Sequence, residues 1–583
     1  MKFTISKLLL IIILGIAFVL RIYQVADMPP GMTWDEAALG YNAYSILKTA
    51  RDEHGAFLPL TFKSFGDYKP GAYVYAAVPF VALFGLNEVS TRLPSILAGV
   101  LAVWGIYLLT NKLFTKQTLN HLACRQAGVQ GDESRHSGLD PESAFFNPGL
   151  FAALLLALSP WHIYFSRGAW EVNLYTTLTI FNLYYFTRFL TQNRSLSPSI
   201  ILSLISLYTY QAAKLLTPLL LFVTLCFYLP SFYKIIKKWR SYPHYLDYFT
   251  LAAGIIVGLF LLYQNVFGAS GNRLTHLSFF NYRPPQQQDG SVFHNYPDFL
   301  SRSLVSRYIY HFSPEVLFYE GPVITVRGHI PRLGMLYLAD AVLLILGLSF
   351  ISRTFTHSSS KLVLALALVS PIPASLTLAE FSTFRAEFLV IPLTLISAIG
   401  LTQIIKNIPP PKLGGGAGLP ASRQGVVSLI SLFFILIYIC NTLYGLDLYF
   451  NHSKNEIAWE YNSGYKQAIT AVTDWPAEKV YISDVYGQPY IFYLFYTRYD
   501  PAKYQAHNDF VDGGTDVGWV GRIDNIEFHQ FSSTEIKHNK NTLFIGAQGS
   551  IPDGFDYHTD NIEYYEQIDF APNKPMFRVV KTR

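Results

Sequence analysis

The chain has 583 residues, of which 51% are hydrophobic, 16% aromatic and only 14% charged, a balance that excludes a string of ordinary soluble domains. The net charge of +5 does not point to nucleic acid, because the basic residues cluster beside apolar runs and so report orientation in a bilayer. Three cysteines, Cys124, Cys226 and Cys440, stand too far apart for a zinc site or a disulfide framework.

Apolar runs of about 15–25 residues recur, each long enough to cross a hydrocarbon core of roughly 30 Å. They predict eleven spans, near 8–23, 92–111, 149–165, 173–190, 198–213, 215–232, 245–264, 334–352, 361–378, 386–405 and 426–446. Lys2 and Lys7 before an apolar run mimic a signal peptide, but Arg21-Ile22-Tyr23 has no small-residue cleavage pattern and reads as a retained anchor. Lys112/Lys116, Arg188/Arg194, Lys234–Arg240, Arg353/Lys361 and Lys406–Arg423 fall on the side of the N-terminal lysines, which the positive-inside rule makes the cytoplasm. Segments 24–91, 166–172, 265–333 and the tail after about 447 are then outside. Residues 71–86 are too short for a twelfth crossing and predict a helix in the outer interface.

Two stretches, 117–148 and 409–424, read as flexible cytoplasmic insertions, the first polar without apolar period and the second rich in Pro and Gly. Asp132, Glu133, His136 and Asp140 in the first are read as linker rather than a metal cluster. The tail, 447–583, reads as a small soluble α/β domain, with helical spacing over Glu456–Thr473 and strand patterns at Lys479–Ser483, Thr542–Gly546 and Phe577–Val580. The expected architecture is an α-helical polytopic membrane protein of about 11 transmembrane helices. Juxtamembrane helices lie in its first outer loop, 265–333 is a large outer loop, and an extracytoplasmic α/β domain follows the membrane domain 1–446.

The residues that could carry chemistry gather on the outer side. Asp35-Glu36 lies about a dozen residues past the first span, where a carboxylate would deprotonate an attacking hydroxyl at the bilayer surface. Asp67-Tyr68-Lys69-Pro70-Gly71 follows in the same segment, and Ser166-Arg167 with Glu171 in the next. Tyr210 and Lys214 stand at the outer ends of the fifth and sixth spans, Glu320 and His329 in the large loop, and Arg385 ahead of the tenth span. Acids and cations at one membrane face suit a polyprenyl-phosphate sugar donor, whose phosphate lies at headgroup level. Lys69, Lys214 and Arg385 would neutralise the departing phosphate, and Asp35, with Glu36 beside it, would serve as base. Arg167 and Glu171 are candidates for acceptor positioning or a second acid, or a helix-surface i,i+4 pair. Glu320 and His329 could hold a divalent cation but have no defined ligand spacing; no metal site or cofactor is assigned.

The order Trp34-Asp35-Glu36-Ala37 after the first span, Asp67–Gly71 before a half-length apolar helix, Thr91-Arg92-Leu93-Pro94-Ser95 opening the second span, and Ser166-Arg167 with an acid after the third resembles the dolichyl-phosphate-mannose protein mannosyltransferase-like family. That family belongs to the glycosyltransferase C superfamily, with the aminoarabinose lipid A transferases. The resemblance covers roughly the first 220 residues and, beyond them, only the topology. It implies a base at Asp35, a phosphate-binding lysine at Lys69, a second outer acid at Glu171 and a late phosphate-approaching arginine at Arg385. Glu171 is a glutamate where some branches carry aspartate, and the repeated outer-domain motifs of eukaryotic protein mannosyltransferases are missing, so a protein acceptor is not implied.

The expected function is inverting transfer of a hexosyl, mannose-like residue from a polyprenyl-phosphate donor to a lipid, glycan or protein hydroxyl. It would take place on the outer face of the plasma membrane, with a cytoplasmic N-terminus and no nucleic-acid partner. The alternatives are a transporter, which would show repeated halves and midplane charges not found here, and a ligase or polymerase moving whole polyprenyl-linked glycans.

Overall fold

A computed structural model describes residues 5–114, 147–237, 245–267, 296–322, 327–377, 379, 381–406, 421–507, 509–513, 517–559 and 561–583. Insertion 117–148 lies outside these residues except at 147–148, as do Asp132, Glu133, His136 and Asp140, and of 409–424 only 421–424 are described, already helical.

The membrane part comprises α1 (Ile5–Ile22), α2 (Trp34–Thr49), a hairpin of β1 (Thr61–Ser64) and β2 (Asp67–Pro70), α3 (Ala72–Phe84), α4 (Glu88–Leu113), α5 (Pro148–Leu158), α6 (Pro160–Arg167), α7 (Glu171–Gln192), α8 (Ser197–Leu207), α9 (Ala213–Phe227), α10 (Leu229–Lys237), α11 (Tyr245–Phe267) and α12 (Tyr296–Tyr310). It continues through α13 (Leu338–Arg353), α14 (Ser358–Val369), α15 (Ile372–Ser375), α16 (Val390–Lys406) and α17 (Ala421–Asp447). The protein is a multi-pass helical membrane protein, and each predicted span contains helix, although 198–213 is helical only to Leu207, 334–352 only from Leu338, and the helix within 361–378 breaks after Val369.

By length and composition five helices are fit to cross a membrane, or seven when the bent pairs α5–α6 and α9–α10 count as one span each. The difference from eleven has local causes. Helix α7 is long enough, but it buries Asn173, Thr176, Thr177, Thr179, Asn182 and Thr187 against its neighbours, which lowers its hydropathy. Asn173 donates to the Ser95 carbonyl of α4 at 2.8 Å, and Thr177 to the Ala98 carbonyl at 2.9 Å. Helix α8 has 11 residues, about 17 Å at 1.5 Å per residue. Pro160 cannot continue the hydrogen-bond ladder, and the chain turns by 59° between α5 and α6. Helices α13 and α16 meet at Gly347 and Gly400, each pressed against a backbone carbonyl of the other helix, the close approach that small residues permit in lipid.

The tail holds α18 (Ser453–Ile457), α19 (Tyr465–Asp474), β3 (Lys479–Ile482), α20 (Pro489–Thr497), α21 (Pro501–Ala506), β4 (Phe510–Val511), β5 (Trp519–Val520), β6 (Arg522–Ile523), β7 (Ile526–Phe528), α22 (Ser533–His538), β8 (Thr542–Gly546), β9 (Ile562–Ala571) and β10 (Lys574–Thr582). Its six-stranded sheet runs β6-β7-β3-β8-β10-β9, with β3 parallel to β7 and β8 and β10 antiparallel to β8 and β9. All three strands predicted for the tail are present, and its predicted helix is broken into α18 and α19.

The tail does not keep its core to itself. One apolar cluster joins Ala37, Tyr41, Phe62, Tyr73 and Val81 of the first segment to Tyr465, Tyr490, Phe492, Phe495 and Phe577. Polar ties run alongside: Gln505 donates to Ser45 Oγ, Thr49 Oγ1 and the Asp52 carbonyl at 2.9–3.0 Å, Lys466 pairs with Glu88 at 2.8 Å, and the Gly518 amide donates to the Phe65 carbonyl. Helix α2 is therefore clamped between α3 and α20, and the tail fixes where its N-terminal turn points.

Candidate active site

Helix α2 opens with a capping box. Thr33 Oγ1 accepts from the Glu36 amide at 3.2 Å, and Glu36 Oε2 accepts from the Thr33 amide at 3.1 Å. This sets the turn so that successive acids face opposite ways. Asp35 points toward the hairpin and pairs with Lys69 of β2, both side chains half-buried. Glu36 points inward and is fully buried.

The two carboxylates have different surroundings. Glu36 receives Arg92 Nε at 3.0 Å, Arg92 Nη2 at 3.3 Å and the Ala169 amide at 2.8 Å, besides the Thr33 amide. Arg92 in turn donates to the carbonyls of Val25, Pro29 and Gly31 at 2.6–3.2 Å. Glu36, expected beside Asp35 as a catalytic acid, thus holds α2 to α4 and to the turn before α7, with no face open to a substrate. Asp35 lines a small cleft, partly open to solvent, with Leu39, Asn42, Phe62, Ser64 and Lys69 among the other walls. Asp35, Leu39 and Asn42 share one face of α2 at i, i+4 and i+7.

Lys69 is the hub. It contacts Asp35, lies 5.3 Å from the Phe65 ring centre, and is within electrostatic reach of Glu171 and Glu53. Glu53 is buried behind the pocket. Its amide donates to Asn42 Oδ1 at 3.0 Å, and Asn42 Nδ2 donates to its Oε1 at 3.2 Å. Burial pushes the Glu53 carboxyl up to about 8, against the opposing pull of Asn42 and Lys69. Ser64 Oγ, also buried, has no hydrogen-bond partner among the described residues.

A second group adjoins this one. The turn between α8 and α9 is tied to the hairpin: Gln211 donates to the Tyr68 carbonyl at 2.8 Å, and the Ala72 amide to the Tyr208 carbonyl at 3.0 Å. That turn carries Tyr210, within electrostatic reach of Arg385, Glu171 and Glu387, and Lys214 stands half-buried one turn further on, in the first turn of α9. Among the described residues, the Arg385 guanidinium makes two long contacts, 3.4 Å each, to Thr377 Oγ1 and Ser382 Oγ. Glu387, fully buried, accepts from Thr176 at 2.7 Å through one oxygen, while the other has no hydrogen-bond partner among the described residues.

Other expected residues stand elsewhere. Arg167 and Glu171 are not an i,i+4 pair on one helix, because α6 ends at Arg167 and α7 begins only at Glu171. Arg167 instead donates to the carbonyls of Leu20, Arg21, Tyr23 and Met28 at 2.6–3.1 Å and to Tyr449 Oη at 3.2 Å. It caps the C-terminal end of α1, where the helix dipole favours a cation. Glu320 is exposed. His329 is buried against Gly321, and desolvation pushes its imidazole down to about 4. Among the described residues no group of three or more His, Cys, Asp or Glu is arranged to hold a metal ion.

No role was assigned from the sequence to Arg92, Glu53, Asn42 or Glu387, although Arg92 stands in the Thr91–Ser95 motif. Glu387 stands two residues from Arg385, and that adjacency was the available signal. Asn42 was legible only as the next step along the Asp35 face of α2.

No protein-family model matches this sequence, and neither does any curated protein. Among solved structures, the chain is similar to ArnT from Cupriavidus metallidurans bound to undecaprenyl phosphate, with TM-score 0.51 at 13% identity, covering 98% of this chain and 97% of that one. The apo state of the same protein gives TM-score 0.48 at 13% identity with the same coverage. The apo Archaeoglobus fulgidus oligosaccharyltransferase gives 0.46 at 13% identity over 84% of this chain; the chain spans only 63% of that protein's length. At 13% identity this likeness is one of fold, shared along nearly the whole of both chains.

Proposed function

We propose that the chain is a membrane glycosyltransferase moving one hexosyl, mannose-like residue from a polyprenyl-phosphate donor to an acceptor hydroxyl on the extracytoplasmic face, with inversion. The observation that carries this reading is the half-buried Asp35–Lys69 pair on the wall of an open pocket, beside a glutamate that is wholly engaged. The shared fold with a protein crystallised with undecaprenyl phosphate supports the donor class.

The chemistry follows from the charges. An arriving donor phosphate competes with Asp35 for Lys69, so the step that docks the donor also releases the base. Asp35 takes the proton of the acceptor hydroxyl as its oxygen bonds to the anomeric carbon on the face opposite the phosphate. The bond from that carbon to the phosphate oxygen breaks, its electron pair stays with the phosphate, and polyprenyl phosphate departs. Lys69, joined by Lys214 and Arg385, balances the growing charge. Tyr210 and Glu171 border the sugar, while Glu36 and Arg167 act as positioning residues through α2 and α1.

Purified protein incubated with a panel of polyprenyl-phosphate sugars and an envelope-extract acceptor tests the reading. Lipid phosphate release coupled to acceptor glycosylation is expected with at least one donor. Turnover of none of them, by protein that is folded and membrane-inserted, contradicts it.

A further inference from the structure

A run of aromatic rings leads away from Asp35 across the surface of the tail. Trp34, the residue before Asp35, is half-buried, and its ring lies so near Gly487 that an added Cβ there would stand 2.7 Å from it. The Arg327 guanidinium sits 5.5 Å from the Trp34 ring centre and 3.6 Å from the Glu460 carboxylate. Tyr486, next to Gly487, meets Trp459 edge-on at 4.8 Å, and Trp459 meets Phe570 at 5.5 Å. Trp459 keeps 47% of its surface in solvent although the tail's core accommodates many other rings.

The mixture of groups selects a ligand class. A groove for acyl chains would not be edged by Arg327 and Glu460, whose charges are poorly matched to hydrocarbon. A pyranose ring offers polarised C–H bonds on its face and hydroxyls around its rim. The negative faces of Trp and Tyr attract the first, and a guanidinium beside a carboxylate can donate to and accept from the second. Position supplies the other half of the argument, since the platform begins one residue from the proposed base. Gly487 keeps the path continuous, because a side chain at that position would collide with the Trp34 ring.

We propose that Trp34, Tyr486 and Trp459, edged by Arg327 and Glu460, form a saccharide-binding subsite that presents the acceptor hydroxyl to Asp35. The acceptor would then be a glycan or a glycan-bearing lipid. The proposal rests on the transferase reading for its role in catalysis, whereas saccharide binding can be observed without any transfer.

The test is saturable binding of chitotriose, maltotriose and mannotriose to the full-length detergent-solubilised protein, followed by saturation-transfer NMR. At least one trisaccharide is expected to bind the wild type and Asp35→Asn alike. Trp459→Ala should weaken that binding about tenfold, and Trp459→Phe should recover most of it. In transfer assays Trp459→Ala should raise KM for the acceptor while kcat and the donor KM hold, a split that a merely structural role would not give. Binding of none of the three to the wild type, or equal binding by Trp459→Ala, overturns the subsite. Transfer without trisaccharide binding would remove the subsite alone; binding with no transfer from any donor would remove the transferase reading and leave the saccharide site in place.

Discussion

The pocket side of α2 and the arginine cluster behind it carry similar charge and use it in opposite ways. On the pocket side, Asp35 and Lys69 form one half-buried pair with an opening beside it. Behind, Glu36 and Arg92 are fully buried, and nearby Arg21 and Arg167 spend their donors on carbonyls near helix ends: Ala17, Leu156 and Ala157 for Arg21, and Leu20, Arg21 and Tyr23 for Arg167. A charge in a membrane protein marks a reactive site where its partner can be exchanged for a substrate group. Where the guanidinium nitrogens are all engaged by the protein, as in Arg92 and Arg167, the charge is a fastener.

The largest effect that could break this contrast is on turnover. Asp35→Asn keeps size and hydrogen bonding but removes the base, so kcat should fall about 10²- to 10⁴-fold with thermal stability close to that of the wild type. Next comes the mirror-image experiment. Glu36→Gln strands the buried Arg92 charge and should cost about 3–5 kcal/mol of stability, read as a lowered melting temperature in detergent. Should Glu36→Gln melt normally and lose only turnover, the two residues would have to exchange roles.

A smaller, pH-dependent effect sharpens the comparison at Glu53. Its folded carboxyl is held at about 8, above the ordinary 4.5, so the folded state binds the extra proton between those values. Stability from this group is therefore complete below about pH 4.5 and is lost as pH rises through about 8. The wild type should melt lower at pH 8.5 than at pH 6, and Glu53→Gln, which stays neutral, should flatten that limb. His54 and His329 have the opposite sign, because desolvation holds both near 4. Their contribution is present above the unfolded value near 6.5 and is lost as pH falls toward 4. The smallest effect is expected at Lys466→Met, since its bridge to Glu88 leaves the ammonium side 62% exposed; a change of about 0–1 kcal/mol should follow.

What the sequence could and could not disclose follows the same division. Most of the helical segments, the tail strands, and Asp35 and Lys69 as separate candidates were legible, because hydrophobic period and short motifs are local. The Glu36–Arg92 pair was not, since it joins residues 56 positions apart. Arg167 misled because i,i+4 spacing assumes one continuous helix, and Gly168-Ala169-Trp170 interrupts it. The polar residues of α7 gave no sign of facing α4, α8 and Glu387 rather than a channel. Nor did composition reveal that the tail shares a core with α2 and α3, which requires Tyr41 to meet Tyr504 across more than four hundred residues.

The exchange of Lys69 between Asp35 and a lipid phosphate is tested most directly by titrating undecaprenyl phosphate into the wild type, Asp35→Asn and Lys69→Met and measuring Kd. Asp35→Asn should bind at least as tightly as the wild type, having lost the competing carboxylate, while Lys69→Met should bind about tenfold more weakly or worse. Unchanged affinity in Lys69→Met, or a loss in Asp35→Asn as large as that in Lys69→Met, would contradict it.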